Sequence, residues 1–252
     1  MSLLEKRMLS NGEDVLYLHT KVESGMNILL IETSSKTCSV ALYSDGKIVY
    51  SKRNEEGMMH AKVLSVYISE ALGENKDVRL DGVAVSAGPG SYTGLRIGVS
   101  TAKGIAFGYG IPLIAVPTLD LIAETAKKCI GICDGKILSM VDARRMEVYS
   151  QMYTSDLEKV GETKAEVINE DSYKDIICSG ENLYIAGDGA CKCKSVLSQE
   201  NVILVENVNP IAENMAEIAM RRLKNNETED VAYFEPEYVK DFVATQPKHR
   251  II

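Results

Sequence analysis

The 252-residue sequence lacks an excess of basic residues, and this limits what the chain can bind on its own. It has 36 acidic against 28 basic residues, a formal net charge of −8 and no block of lysine or arginine. A protein that binds nucleic acid alone needs a basic face that displaces counterions from the phosphates. We therefore expect any contact with nucleic acid to be indirect, through a partner.

Long apolar runs and paired cysteines are also missing. No apolar run reaches the ~20 residues of a membrane-spanning helix, and charges interrupt the apolar runs at the start of the chain, unlike a secretory leader. The six cysteines form no C-x-x-C pairs, so we expect reduced thiols and no zinc site. These features predict a cytoplasmic protein without membrane contact.

The first 25 residues differ in character from the rest of the chain. Charges are scattered through them, and a second methionine, Met26, opens a clean apolar strand. We expect an extension at 1–25, an N-terminal lobe at 26–130, a C-terminal lobe at 131–240 and a tail at 241–252.

From Met26 the pattern indicates three strands, a helix, a strand and a helix, and this order then begins again. Residues 136–153, KILSMVDARRMEVYSQMY, align without a gap with residues 26–43, MNILLIETSSKTCSVALY. The alignment places three pairs on each other: Glu32 and Asp142, Ile31 and Val141, and Tyr43 and Tyr153. Two β-β-β-α-β-α halves predict an α/β fold of the two-lobed actin, Hsp70 and sugar-kinase class (ASKHA), with a cleft between the lobes.

Residues 86–104, SAGPGSYTGLRIGVSTAKG, raise the question of a phosphate loop or a catalytic turn. A P-loop needs G-x-x-x-x-G-K before Ser or Thr, but here Gly94 is followed by Leu95 and Arg96. A hydrolase nucleophile turn needs G-x-S-x-G and a histidine base, whereas this chain has G-S-Y-T-G and three histidines in all. Neither chemistry is favoured.

Small residues in this segment recur at the spacing of one helix face. If a helix begins near Ser91, its stripe consists of Gly94, Gly98, Thr101, Gly104 and Gly108. Each glycine inside a helix costs about 1 kcal/mol relative to alanine, so the stripe indicates close approach of another backbone. That backbone belongs either to this chain's own sheet or neighbouring helix, or to a partner.

The preceding helix, predicted at 59–73, is apolar over about half of its circumference, which is more than one sheet requires. A second apolar row consists of Met59, Val63 and Val66. The helix is therefore predicted to bury two sides, one of them in an intermolecular helix bundle. The predicted partner interface consists of Met59, His60, Val63, Leu64, Tyr67, Ile68, Ala71, Leu72, Leu95, Ile97, Gly98 and Lys103.

Several motifs taken together resemble the TsaB (YeaZ) family. They are IETSSKTCSVAL, GPGSYTGLRIG with the following Ala-Lys-Gly, VDARRMEVY, His60 and PEYVK. The resemblance extends from Met26 to about Lys240. Glu32 departs from it, because most relatives have aspartate there, and this argues against an inherited metal role at that turn.

The resemblance implies an accessory subunit without an active site of its own. Such proteins bind the paralogue TsaD, which transfers threonylcarbamoyl to the adenosine next to the anticodon of certain tRNAs. The resemblance also implies assembly with the ATPase TsaE, possible homodimers through the same helices and kinship with peptidase homologues. His60 is followed by Leu64 where a metal-binding His-x-x-x-His pair needs its second histidine, so no metal site is expected.

A nucleotide contact in the cleft stays open. The candidates are Glu32, Thr33, Ser34, Asp142, Arg144, Gly187 and Asp188. Arg144 and Arg145 would serve equally well in surface ion pairs. We expect no intrinsic cofactor, with ATP or ADP at most at the interface of the complex. The alternative function is a small-molecule kinase or ATPase of the same fold, with Asp188 as its catalytic aspartate.

Overall fold

The computed structural model describes residues 25–57, 59–131 and 134–240. Its first half contains β1 (Asn27–Glu32), β2 (Cys38–Ser44), β3 (Lys47–Asn54), α1 (His60–Glu74), β4 (Gly82–Gly88), α2 (Tyr92–Tyr109), β5 (Leu113–Pro117) and α3 (Thr118–Ile130). Its second half contains β6 (Gly135–Asp142), β7 (Glu147–Tyr153), β8 (Lys159–Val167), α4 (Lys174–Ser179), β9 (Asn182–Ala186), α5 (Ala190–Lys194), β10 (Val202–Val205), a 3₁₀ turn (Ala212–Met215) and α6 (Ala216–Lys224). Apart from Gly25, the predicted extension lies outside the described residues, as does the predicted tail.

The strands form two five-stranded sheets of the same topology, in the orders β3-β2-β1-β4-β5 and β8-β7-β6-β9-β10. In each sheet the first three strands of the half pair antiparallel. The fourth and fifth strands add in parallel on the other side of the first strand. This repeat confirms the two-lobed ASKHA fold with duplicated halves.

The gap-free alignment of the two halves is wrong in register within the first strand. Ile31 packs in a core with α1 and α2, whereas Val141, its aligned partner, packs with α3. The β1–β2 turn spans residues 33–37 and the β6–β7 turn spans residues 143–146, one residue fewer. A slip of one residue turns the side chains of a strand to the opposite face of the sheet.

The last helix of each half packs on the sheet of the other half. Helices α1 and α2 cover one face of the first sheet, and the 3₁₀ turn with α6 covers its other face. Helix α3, although it belongs to the first half, packs on the second sheet beside Ile137 and Tyr153. The lobe boundary expected near residue 130 therefore separates the strands of the two sheets, but α3 and α6 cross between them.

Helix α2 is capped at both of its ends by local residues. The hydroxyl of Ser91 accepts a hydrogen bond from the backbone N–H of Gly94 at 3.3 Å, so Ser91 caps the helix, which was predicted to begin near it. Gly110 ends the helix in the left-handed conformation, with φ 63°. None of the helices in the described ranges is both long and apolar enough to cross a membrane.

Candidate functional site

The β1–β2 turn lies directly against the first turns of α2. A Cβ atom on Gly90 would lie 2.3 Å from the carbonyl oxygen of Ser34, and one on Gly94 would lie 2.1 Å from that of Thr33. A Cβ atom on Gly98 would lie 2.1 Å from Oγ1 of Thr33. These distances are far shorter than any van der Waals contact, so only glycine lets the turn lie this close. For Gly94 and Gly98, the first half of the glycine stripe, the neighbour that requires their small size therefore belongs to the chain itself.

The other half of the stripe faces outward. Gly104 and Gly108 are exposed, and a Cβ atom on either would meet no atom within 4 Å. Each nevertheless costs about 1 kcal/mol relative to alanine inside a helix. No contact among the described residues requires their small size.

Glu32 ends β1 and is completely buried. Its Oε1 accepts a hydrogen bond from the backbone N–H of Ser34 at 2.5 Å, whereas its Oε2 has no hydrogen-bond partner among the described residues. Burial raises the pKa of Glu32 to about 7, and its contacts with Ser34 and Ser86 offset only part of that effect. The carboxyl group is therefore partly protonated at neutral pH.

Asp142 ends β6, the corresponding strand of the second half, in more highly charged surroundings. Its Oδ1 forms an ion pair with Nζ of Lys192 and accepts a hydrogen bond from the backbone N–H of Arg144 at 2.8 Å. Burial acts to raise the pKa of Asp142, but these contacts outweigh burial and hold the pKa below its ordinary value. Asp188 accepts a hydrogen bond from the backbone N–H of Asp142 at 3.0 Å, and burial raises the pKa of Asp188.

The predicted nucleotide contacts thus lie in one region, where several of them have roles within the chain. The backbone N–H of Thr33 donates to Oγ of Ser86 at 3.1 Å. Gly187 has φ 106°, and a Cβ atom there would lie 2.2 Å from the carbonyl oxygen of Met140. Among the described residues, no group of three or more His, Cys, Asp or Glu side chains could hold a metal ion. Nucleotide binding at these residues stays a prediction.

His60 begins α1 and is buried, not solvent-exposed. Its Nε2 lies 3.1 Å from the carbonyl oxygen of Ser35, in the β1–β2 turn. A ring nitrogen at this distance donates a hydrogen bond to the carbonyl, which places the proton on Nε2. His60 therefore fastens the turn to α1 and is not an accessible base.

The structure divides the predicted partner interface into a buried and a peripheral group. The buried group consists of His60, Leu64, Tyr67, Ile68, Ala71, Leu95 and Gly98. These side chains pack inside the first lobe against its own sheet, and their contact with a partner stays a prediction. The peripheral group is only half-buried and consists of Met59, Val63, Leu72, Ile97 and Lys103. For the peripheral group, partner contact stays a prediction.

Large apolar side chains that sequence reasoning left out of the interface are exposed on the same two helices. Phe107 is 83% exposed, Tyr109 61% and Val66 49%. Val66 belongs to the predicted second apolar row of α1, but Phe107 and Tyr109 were not identified. The structure explains the exposure of Phe107, because it follows Ala106, and the position of Ala106 in the buried row of α2 turns the next residue away from the sheet.

Residues 227–240, which we call the C-terminal strap, run back along the first lobe. Nζ of Lys103 donates to the carbonyl oxygens of Ala232 and Phe234, at 3.1 and 2.9 Å. The backbone N–H of Glu237 donates to the carbonyl oxygen of Ala87 at 2.7 Å. The strap contains the PEYVK motif, and its position explains that motif as a structural tie.

Comparison with known proteins gives consistent matches. The family model of TsaD, described as tRNA N6-adenosine threonylcarbamoyltransferase, matches residues 55–174. The tRNA threonylcarbamoyladenosine biosynthesis protein TsaB of Escherichia coli (strain K12) is 31% identical over 230 residues, which cover 87% of this chain and 96% of that protein. The protein of the same name from Bacillus subtilis (strain 168) is 35% identical over 133 residues, which cover 51% of this chain and 55% of that protein.

The same relationship appears in a solved structure. YeaZ from Pseudomonas aeruginosa superposes with a TM-score of 0.72 at 25% sequence identity. The superposition covers 85% of this chain and 100% of that chain, so the likeness includes both lobes.

Proposed function

The chain belongs to the TsaB family, and on this premise we propose that it is an accessory subunit in the biosynthesis of threonylcarbamoyladenosine in tRNA. In this proposal the chain is cytoplasmic, has no active site of its own and binds the catalytic sister protein TsaD, and through it TsaE. The match of the TsaD family model to residues 55–174 supports a partner of related fold. Two related subunits can pack corresponding surfaces against each other about a pseudo-twofold axis.

The exposed apolar surface of α1 and α2 is the observation that carries the proposal. We call this surface the helix face and define it by the exposed Val66, Gly104, Phe107 and Gly108 together with the half-buried Val63 and Ile97. Large exposed apolar residues on neighbouring helices are typical of protein–protein contacts. The outward glycines favour a helix as the partner element, because close helix approach is what small residues on a helix surface allow.

The non-catalytic part of the proposal is supported by how the candidate side chains are used. His60 is committed to the carbonyl group of Ser35, and Asp142 is paired with Lys192. The alternative of a kinase or ATPase is favoured only by the raised pKa of Asp188. Measuring ATP turnover by the purified chain alone separates the two functions, since sustained turnover without partners would overturn the accessory role.

The helix face is tested with Phe107→Asp and Gly104→Leu in a binding titration against purified TsaD. We expect each variant to weaken binding at least tenfold, because a buried charge or added bulk at a helix contact opposes close packing. The matched control is Val167→Asp, since Val167 is 61% exposed on β8 of the other sheet. Unchanged affinity in both helix-face variants would show that TsaD does not bind there. If free chains self-associate, loss of the dimer in the same variants would assign the homodimer to this face.

A further inference from the structure

We propose that the β6–β7 turn contacts the phosphodiester backbone of tRNA through Arg144 and Arg145 in the assembled complex. The inference rests on the proposed function, because the complex has to supply the rest of the tRNA-binding surface. It assigns a role to the VDARRMEVY motif, which the helix face does not use.

The backbone of the turn makes arginine an unexpected residue at both positions. Arg144 has φ 75° and Arg145 has φ 51°, both in the left-handed region. Glycine and asparagine adopt this region more readily, and other residues with a Cβ atom are held there at a cost of roughly 1 kcal/mol or more. The turn itself would therefore be more stable with other residues, so the reason for two arginines lies in their side chains.

Both guanidinium groups are available for binding. Arg144 and Arg145 are exposed, and within the described chain neither side chain forms an ion pair or a hydrogen bond. The carboxylates that flank the turn are already neutralised by lysines from other elements: Asp142 pairs with Lys192, and Glu147 pairs with Lys240. The surface ion pairs that would have explained the arginines are thus made by the lysines instead.

A further cation lies close to this turn. Lys36 is exposed in the β1–β2 turn of the other lobe, and its charge acts to lower the pKa of both Asp142 and Asp188. Of the acidic groups nearby, Asp188 accepts the hydrogen bond from Asp142, and Glu32 is fully buried. Arg144, Arg145 and Lys36 thus give this edge three exposed cations.

The cationic side chains at this edge are suited to binding the phosphate groups of a nucleic-acid backbone. A guanidinium group binds phosphate oxygens through paired N–H donors, and adjacent arginines can reach neighbouring phosphates along a backbone. The rest of the chain is acidic, with a net charge of −8, so the turn cannot bind tRNA tightly by itself. Its contribution is expected only when a partner holds the tRNA next to it.

The test measures tRNA binding by the complex of this chain with TsaD over a series of KCl concentrations. The main variant is Arg144→Asn/Arg145→Asn, because asparagine favours the left-handed conformation and the fold should be retained. We expect affinity for tRNA to fall about tenfold and the slope of log K against log [KCl] to decrease by about two. Arg144→Lys/Arg145→Lys keeps the charge and should restore most of the affinity.

The control is Lys47→Gln/Lys164→Gln, which removes the same charge from exposed positions on β3 and β8. If the asparagine variant binds tRNA like this control, the inference is overturned. An ATP titration forms the second arm: a loss of ATP affinity with unchanged tRNA affinity would assign the arginines to a nucleotide and overturn the tRNA contact. Co-elution with TsaD is recorded for every variant. If the unmodified chain itself fails to co-elute, the proposed function fails, and the tRNA contact with it.

Discussion

Oγ1 of Thr33 lies where the side chain of residue 98 would begin: a Cβ atom on Gly98 would be 2.1 Å from it. Because the turn that carries Thr33 is also held by Ser86 and by the start of α2, it has little freedom to move away. We expect Gly98→Ala to lower the free energy of unfolding by about 1–3 kcal/mol through this overlap, despite the higher helix propensity of alanine.

Gly104, on the outward half of the stripe, is the matched position. A Cβ atom there meets nothing within 4 Å, so Gly104→Ala should raise the free energy of unfolding by about 0.5–1 kcal/mol. Urea denaturation of the two variants beside the unmodified chain gives both values. Shifts of the same sign would show that the two halves of the stripe do not differ in their surroundings.

The buried carboxyl of Glu32 should make stability depend on pH. Its pKa is raised from 4.5 to about 7, so between these values the folded chain holds a proton that the unfolded chain has released. Folding stability should therefore fall as pH rises through this window, by about 3 kcal/mol in total. Glu32→Gln cannot titrate and should gain stability relative to the unmodified chain by that amount between pH 5 and pH 8. An equal difference between the two proteins at both pH values, in chemical denaturation, would argue against a raised pKa.

Ile68 and Val66 lie on the buried and the exposed side of α1. Ile68 is 7% exposed and Val66 is 49% exposed. Ile68→Asp buries an unpaired charge and should destabilise the chain by about 4 kcal/mol or more, whereas Val66→Asp should change stability by no more than about 0.5 kcal/mol. Thermal unfolding of both variants measures the contrast. Similar melting temperatures would mean that α1 packs with a different face.

Lys103 should control how firmly the C-terminal strap is held. Lys103→Met keeps the apolar stem but removes the donors to the carbonyl groups of Ala232 and Phe234. We expect the amides of residues 227–240 to exchange their hydrogens about tenfold faster, because local opening of the strap loses two charge-assisted hydrogen bonds. Lys103→Arg serves as the control and should keep most of the protection. Unchanged exchange in Lys103→Met would assign the docking of the strap to its apolar contacts alone.

Much of the fold could be predicted because its signals are local. Apolar runs marked the strands of the first half, and Ser91 marked the start of α2. Repetition of the same element order revealed the duplication, and the acidic residues Glu32 and Asp142 both end their strands. The register that relates β1 to β6 could not be predicted from the sequence, because it depends on the β6–β7 turn being one residue shorter than the β1–β2 turn.

The candidate site was predictable by residue type but not by orientation. An apolar row such as Leu64, Tyr67, Ile68 and Ala71 has the same appearance whether it faces the chain's own sheet or a partner. The structure assigns it to the sheet, and it shows the exposed face through Phe107 and the unobstructed Gly104. Sequence spacing says which residues share a face, but not what covers that face.

The sequence by itself determined the element order, the duplication, the family and the absence of a general basic surface. Each of these depends only on residue type and short-range spacing. Only the tertiary structure decided that α3 and α6 cross between the sheets, that residues 227–240 return to α2 and that Glu32 loses contact with water. These features arise from contacts between residues far apart in the chain. Their energy depends on which surfaces meet, and no local pattern specifies that.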